Sequence, residues 1–232
     1  MHATGPGFSV GCSGGCWTVR LERSDRRNAL DESTAGALAR TFRELSAAAP
    51  GTPLILCSQG PAFSAGADVS YLKGVTDRME RERLFAERAK TLTPALVDLI
   101  DALSLSDQIT IAAVQGPASG GGWSLALACD FRYAAPEAQF WFPEVEYGRP
   151  LSEMSISILL PKVGQARTAE IVLSARRFSA DDLLALGLVN EVVPADSLQA
   201  RAMRLASRLA AMAPEGLAES KRRIRRLATR SA

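Results

Sequence analysis

The chain has 232 residues, 47% of them apolar and 22% charged, with a formal net charge of +2. That length suits one large α/β domain or two small ones, and the composition is that of a globular protein with a real core. So small a basic excess argues against a dedicated nucleic-acid binder, and no apolar stretch is long enough to cross a bilayer.

Residues 1–15, rich in Gly and Ser, read as a flexible segment without the charged start and apolar run of a signal peptide. Trp17 to Leu21 alternates in polarity and reads as an exposed strand. Asp31 is placed to cap an amphipathic helix running to about Ala48, with Leu38, Phe42 and Leu45 on one face. Pro50 to Pro53 breaks it, and Leu54 to Cys57 is a continuous apolar run, as expected of a strand buried on both faces. A long charged helix is expected over about Arg78 to Leu103. A second buried strand follows from Thr110 to Val114, then a helix from about Gly122 to Cys129. Asp130 to Ala134 and Gln139 to Phe142 are strand-like. Beyond Ile156 the pattern is helical, over about 155–161, 165–174, 180–186 and 196–213. The order predicts an α/β core over 16–195 and a helical C-terminal segment over 196–232.

Four cysteines are present, Cys12, Cys16, Cys57 and Cys129. The lone histidine, His2, cannot complete a zinc site with Cys12 and Cys16, so no metal is expected. Cys57 and Cys129 lie in apolar runs and read as small core side chains, and a reducing cytoplasm fits best. The last twelve residues hold Lys221, Arg222, Arg223, Arg225, Arg226 and Arg230 and no acid. A solvated helix end accounts for them, and a phosphate-binding patch is the alternative.

Two glycine-bearing segments stand where a buried strand gives way to another element. The first is Gly60-Pro61-Ala62-Phe63-Ser64-Ala65-Gly66-Ala67-Asp68. The second runs from Gly116 through Gly120-Gly121-Gly122-Trp123-Ser124 to Asp130. Successive glycines carry an entropic penalty, which close approach of a ligand to the backbone would offset. Unpaired N–H groups at a helix start suit a phosphate or an oxyanion. The triplet matches neither a Walker loop nor a dinucleotide fingerprint, and a tight packing turn explains it as well.

Taken together the motifs are more specific. From Trp17 to Lys221 the chain resembles the crotonase (enoyl-CoA hydratase/isomerase) family. The resemblance rests on Asn28-Ala29-Leu30, Phe63 to Asp68, Ile111 to Gly116 with the glycine triplet, Phe142-Pro143-Glu144 with Gly148, and Gly187-Leu188-Val189 with Val192-Val193-Pro194. It implies an α/β fold of ββα turns wound into a spiral with helices at the C-terminal end. It also implies assembly into trimers or dimers of trimers, and an acyl-CoA or acyl-carrier-protein thioester as substrate. No metal or redox cofactor is implied, and neither nucleic acid nor membrane is an expected partner.

Carried over residue by residue, the resemblance makes the backbone N–H groups of Ala67 and Gly121 an oxyanion hole and Glu144 the acid/base. It puts the Ala65 carbonyl against adenine and Arg23, Arg26 or Arg27 near CoA phosphates. Asp68, Gly120, Trp123, Ser124 and Trp141 complete the expected substrate-binding set.

Hydratases of the family use two glutamates. Here Glu144 matches one, and Ser124 stands at the other position, where a hydroxyl cannot serve as a carboxylate base. Double-bond isomerisation needs only one base and is the expected reaction. A buried Glu144 beside Trp141 and Phe142 is expected to have a raised pKa. Two alternatives remain: a decarboxylase of a carboxyacyl thioester in polyketide-type biosynthesis, with Lys73 or Lys90 as helpers, and a catalytically silent CoA-binding or scaffold protein. The segment Arg149-Pro150-Leu151-Ser152-Glu153-Met154 stands where the family often has a glycine-rich turn, so a remodelled pocket floor is expected; the sequence ends soon after Lys221, so the pocket is expected to be either more open or covered by another subunit.

Overall fold

The computed structural model describes residues 2–228, with side chains from Thr4 onward. In chain order it runs β1 (His2–Gly5), β2 (Phe8–Ser13), β3 (Cys16–Leu21), α1 (Glu32–Ala48), β4 (Pro53–Ser58), α2 (Arg78–Ser104) and β5 (Ile109–Val114). It continues through β6 (Ala118–Ser119), α3 (Gly121–Leu127), β7 (Phe131–Ala134), β8 (Gln139–Trp141) and α4 (Glu153–Leu173). Last come β9 (Phe178–Ser179), α5 (Ala180–Ala185), β10 (Glu191–Val192), α6 (Ala195–Ala210) and α7 (Pro214–Ala228).

The main sheet has seven strands in the order β1-β2-β3-β4-β5-β7-β10. Its first pairings, β1 with β2 and β2 with β3, are antiparallel, and from β3 onward the neighbours are parallel. A small second sheet, β6-β8-β9, stands apart and carries the glycine triplet's approach and the segment before Glu144. The apolar run of β4 serves both faces of the main sheet. Leu54 and Leu56 join the cluster containing Phe42, Leu99 and Leu125, while Ile55 and Cys57 meet Leu198, Ala202, Ala206 and Leu209 of α6. Helix α6, expected in a separate C-terminal segment, therefore covers the sheet's second face.

The N-terminal expectation needs correction. The supposedly flexible stretch forms β1 and β2, turns at Gly14-Gly15 and pairs in register with β3. Phe8 and Val10 alternate inward and are buried; Gly and Ser between them mask the alternation. Trp17 to Leu21 is accordingly not an exposed strand. It lies between β2 and β4, with Val19 and Leu21 buried.

The helix boundaries follow local chemistry. The Asp31 carboxylate accepts the Thr34 N–H and caps α1. In α4 the expected break falls at Gly164, whose φ of 74° interrupts the helix. Cys57 and Cys129 are buried as expected, and so is Cys16; burial pushes the Cys129 thiol up to about 12.

The basic C-terminal run docks α7. Lys221 is buried, and its Nζ donates to the Gln108 carbonyl and to Asp130 Oδ2, both at 2.7 Å. Arg222 and Arg225 pair with Asp107, and Arg223 pairs with Glu219. Structural pairing thus accounts for these cations; Arg230 lies outside the described residues. Asp130 Oδ2 also accepts the Thr110 N–H at 2.8 Å and its hydroxyl at 3.0 Å.

Removing Asp130 strands a buried ammonium, whereas removing the ammonium leaves Asp130 with its Thr110 donors. Asp130→Ala is expected to destabilise by about 3 kcal/mol and Lys221→Met by less than about 2 kcal/mol in urea unfolding. Equal losses would contradict this asymmetry.

Candidate active site

Two loops meet through their backbones. After β4, Ser64 forms a parallel bridge to Ala118 and Ala67 forms one to Leu30. The second bridge is closed by Leu30 N–H to Gly66 O at 2.7 Å and Asp68 N–H to Leu30 O at 2.9 Å. In a parallel ladder the bonds on one side come from the flanking residues, so Ala67's own N–H faces the opposite edge. Gly66 brings that edge against the glycine triplet. Its φ is +76°, and a Cβ there would stand 2.6 Å from Ser119 O and 2.9 Å from Gly121 N.

Gly122 is equally constrained, since a Cβ would lie 2.4 Å from Ser64 O. Gly121, between these contacts, is not; its Cβ would make ordinary contact with Leu96 of α2 at 3.6 Å. Gly121 opens α3, where its N–H has no carbonyl one turn back within the helix. Among the described residues, neither Ala67 nor Gly121 donates its N–H to an acceptor. Two free amides therefore stand on either side of the Gly66–Gly121 contact.

The small sheet delivers the carboxylate. Pairing of Ser119 with Trp141, and of Gly120 N–H with Trp141 O at 3.0 Å, fixes the chain just before Pro143. A short 3-10 turn, Glu144–Tyr147, begins there. Glu144 Oε1 would lie only 2.9 Å from a Cβ at Gly120. Its Oε2 is buried with no hydrogen-bond partner among the described residues. Burial raises the carboxyl's pKa above its ordinary value, outweighing a hydrogen bond from its own backbone.

The remaining expected residues divide. Ser124 Oγ is wholly buried, 2.7 Å from Ser155 Oγ and 3.3 Å from the Gly120 carbonyl, and Ser155 meets Ser152 at 2.8 Å. Trp123 is buried against Phe140, with ring centres 4.6 Å apart. Both lie inside the protein rather than on a binding surface, because α3 turns that face into the core. Trp141 is half-buried under the Arg177 guanidinium.

Arg23 is held by Asp68 at 2.9 Å, Asp31 at 3.0 Å and the Ala29 carbonyl at 2.7 Å. Burial would raise the Asp68 carboxyl, but hydrogen bonds from Ser70 and the Arg23 guanidinium outweigh it and hold its pKa below the usual value. Arg23 and Asp68 thus brace the loop beneath Ala67. Arg26 donates to Ser70 Oγ, while Arg27 is exposed in a left-handed backbone conformation. The exposed Ala65 has its carbonyl on Ser119 Oγ at 3.1 Å. Lys73 and Lys90, considered as helpers for decarboxylation, are surface residues, and Lys90 pairs with Glu87.

An open cleft of about 1120 Å³ is lined by Val69 and by Val145, the neighbour of Glu144 in the chain. Leu72, Phe85, Tyr147 and Arg149 also line it. Neither Leu72 nor Phe85 carried a sequence signal.

A sequence profile described as Enoyl-CoA hydratase/isomerase matches residues 11–232. A Mycobacterium tuberculosis protein named probable enoyl-CoA hydratase echA6 is 33% identical over 205 residues, 88% of this chain and 76% of its own. The crystal structure of an enoyl-CoA hydratase from Bacillus anthracis superposes with a TM-score of 0.82 at 27% identity, covering 94% of this chain and 82% of that one. An enoyl-CoA hydratase/carnithine racemase structure from Magnetospirillum magneticum gives 0.81 at 30% identity, covering 97% and 82%.

The glycine contacts make a stability prediction. Gly122→Ala forces a Cβ onto backbone and is expected to lower stability by about 1–3 kcal/mol. Gly121→Ala has room and a normal helical conformation, so its unfolding midpoint should match or slightly exceed wild type. The reverse ranking in urea titrations would contradict the packing described.

Proposed function

The chain belongs to the enoyl-CoA hydratase/isomerase (crotonase) family and has its fold, and from that premise we propose that it shifts the double bond of an enoyl-CoA thioester, with Glu144 as sole acid/base. The observation that carries this reading is a half-buried carboxylate, Glu144, whose Oε2 has no hydrogen-bond partner among the described residues, close to two free amides. At the position of a second carboxylate, Ser124 is spent in a hydrogen-bonded serine chain.

In the proposed reaction a 3-enoyl thioester lies with its carbonyl oxygen between the Ala67 and Gly121 N–H groups. Glu144 takes a proton from the carbon next to the carbonyl. The electron pair delocalises as a dienolate, and the charge arriving on the thioester oxygen is held by the two amides. Fixed donors of this kind contribute roughly 3 kcal/mol each. Glu144 then returns the proton two carbons further along, which gives the 2-enoyl thioester with no net change in atoms. A carboxyl with a raised pKa suits both halves of the task, since it must accept a proton and release it.

Hydration is the reaction that the relatives' names suggest. It adds water across the double bond, and the family mechanism calls for a second carboxylate that Ser124 does not supply. Mass analysis separates the two: isomerisation leaves mass unchanged, and hydration adds a water.

Glu144→Gln is expected to lower kcat for 3-enoyl-CoA by at least about a thousandfold, about 4 kcal/mol of barrier. Turnover should leave substrate mass unchanged and exchange protons at the carbon beside the carbonyl. Unchanged turnover in Glu144→Gln, or a product heavier by one water, would contradict the reading.

The acid limb of the wild-type pH profile should lie above the ordinary glutamate value, because the base form is lost as pH falls through the raised pKa. The same shift acts on stability in the opposite sense. The contribution of protonated Glu144 is full below the unfolded pKa and lost as pH rises through the folded value. Glu144→Gln should therefore gain stability relative to wild type as pH rises through that range; a constant difference across pH would contradict the shift.

A further inference from the structure

The cleft beside the site holds charge that the proposed isomerisation does not use. Arg149 lies on its wall, and its N–H donates to the Glu144 carbonyl at 3.0 Å. Its guanidinium stacks on the Phe85 ring, 3.6 Å from the ring centre. A guanidinium held over a ring in this way can still offer N–H donors along its edge to a planar anion. Among the described residues no carboxylate lies within ion-pair distance of it.

A second cation, Arg81, lines the same cleft; its guanidinium donates to the Leu72 and Val75 carbonyls, at 3.2 and 2.9 Å, and among the described residues it has no carboxylate in ion-pair distance. Arg78 is different, since Glu82 neutralises it at 3.0 Å. Glu146 also lines the cleft but does not reach Arg149. Val69, Leu72 and Phe85 add apolar wall to the same cleft, beside Thr76, Glu82 and Tyr147. An aliphatic chain fits such walls, and a bare guanidinium partway along fits an anion at the chain's far end.

We propose that the acyl group accepted by this protein ends in a carboxylate, and that the stacked guanidinium of Arg149 binds that carboxylate in the cleft beside Glu144. The inference rests on the proposed acyl-thioester reading of the site. It adds that the substrate is a monothioester of an unsaturated dicarboxylic acid rather than a simple fatty acyl thioester. Charge-assisted pairing in a partly enclosed cleft sets the expected selectivity at roughly tenfold to a hundredfold.

The test compares matched pairs of thioesters, a short 3-enoyl-CoA and the same molecule with its terminal methyl replaced by carboxylate. Wild type is expected to show a kcat/KM at least about tenfold higher for the carboxylated member. Arg149→Gln should abolish that preference, through a loss on the carboxylated member much larger than any on the neutral one, and Arg149→Lys should restore part of it. Calorimetry with free CoA separates the other source of anion. If Arg149→Gln weakens free CoA as much as carboxyacyl-CoA, the guanidinium meets a phosphate and the proposal is overturned.

Isomerisation of both members by wild type without preference would also overturn it, while leaving the isomerase reading intact. Absence of turnover, with tighter binding of the carboxylated thioester that Arg149→Gln removes, would uphold this inference and defeat the isomerase.

Discussion

Main chain packed directly on main chain is the constraint from which the site follows. At Gly66 the loop after β4 comes so near the start of α3 that no Cβ fits between it and Ser119 O or Gly121 N. Gly122 makes the same demand from the other side, against Ser64 O. Two parallel bridges, Ser64 with Ala118 and Ala67 with Leu30, hold the loop at that distance by using the hydrogen-bonding groups that flank Ala67. The groups left over are the N–H of Ala67 and the N–H of Gly121. Their availability is a product of the ladder geometry and the helix start together; neither loop alone would create the pair.

Around that contact the protein distributes charge unevenly. Arg23 is saturated by Asp31, Asp68 and a carbonyl, which makes it a brace for the loop. Lys221 and Asp130 perform a similar duty for α7. Glu144 has no such partner, and burial raises its pKa. Leaving one carboxylate unpaired among saturated ones disfavours its charged form, and the proposed mechanism draws on that state in each half of the proton transfer. The serine chain through Ser124, Ser155 and Ser152 keeps the neighbouring position neutral and its hydroxyl occupied.

Much of this was legible in the residues. The continuous apolar runs of β4 and β5 announced strands buried on both faces, and Asp31 announced the start of α1. Glycine spacing pointed to Gly66 and the 120–122 triplet as places of close approach, although it could not tell that Gly121 itself has room. The N-terminal hairpin was hidden because Phe8 and Val10 supply its inward face amid glycine and serine, too short an alternation to stand out. Trp123 and Ser124 show what spacing alone leaves open. Sequence proximity to the triplet brought them near the site, but the turn of α3 carries their side chains into the core. Arg149 was visible only as a departure from a familiar turn; its stacking on Phe85 depends on α2, far away in the chain.

Convergence of the two free amides on one thioester oxygen is open to vibrational spectroscopy. An acyl-CoA labelled with carbon-13 at its thioester carbonyl can be bound to Glu144→Gln and its carbonyl stretch isolated by difference Raman. Two aligned N–H donors predict a band shifted to lower frequency than the same thioester shows in water, and the shift should shrink when the 66–67 or 120–121 peptide geometry is disturbed. A bound carbonyl with a frequency equal to or above the aqueous value would contradict the claim.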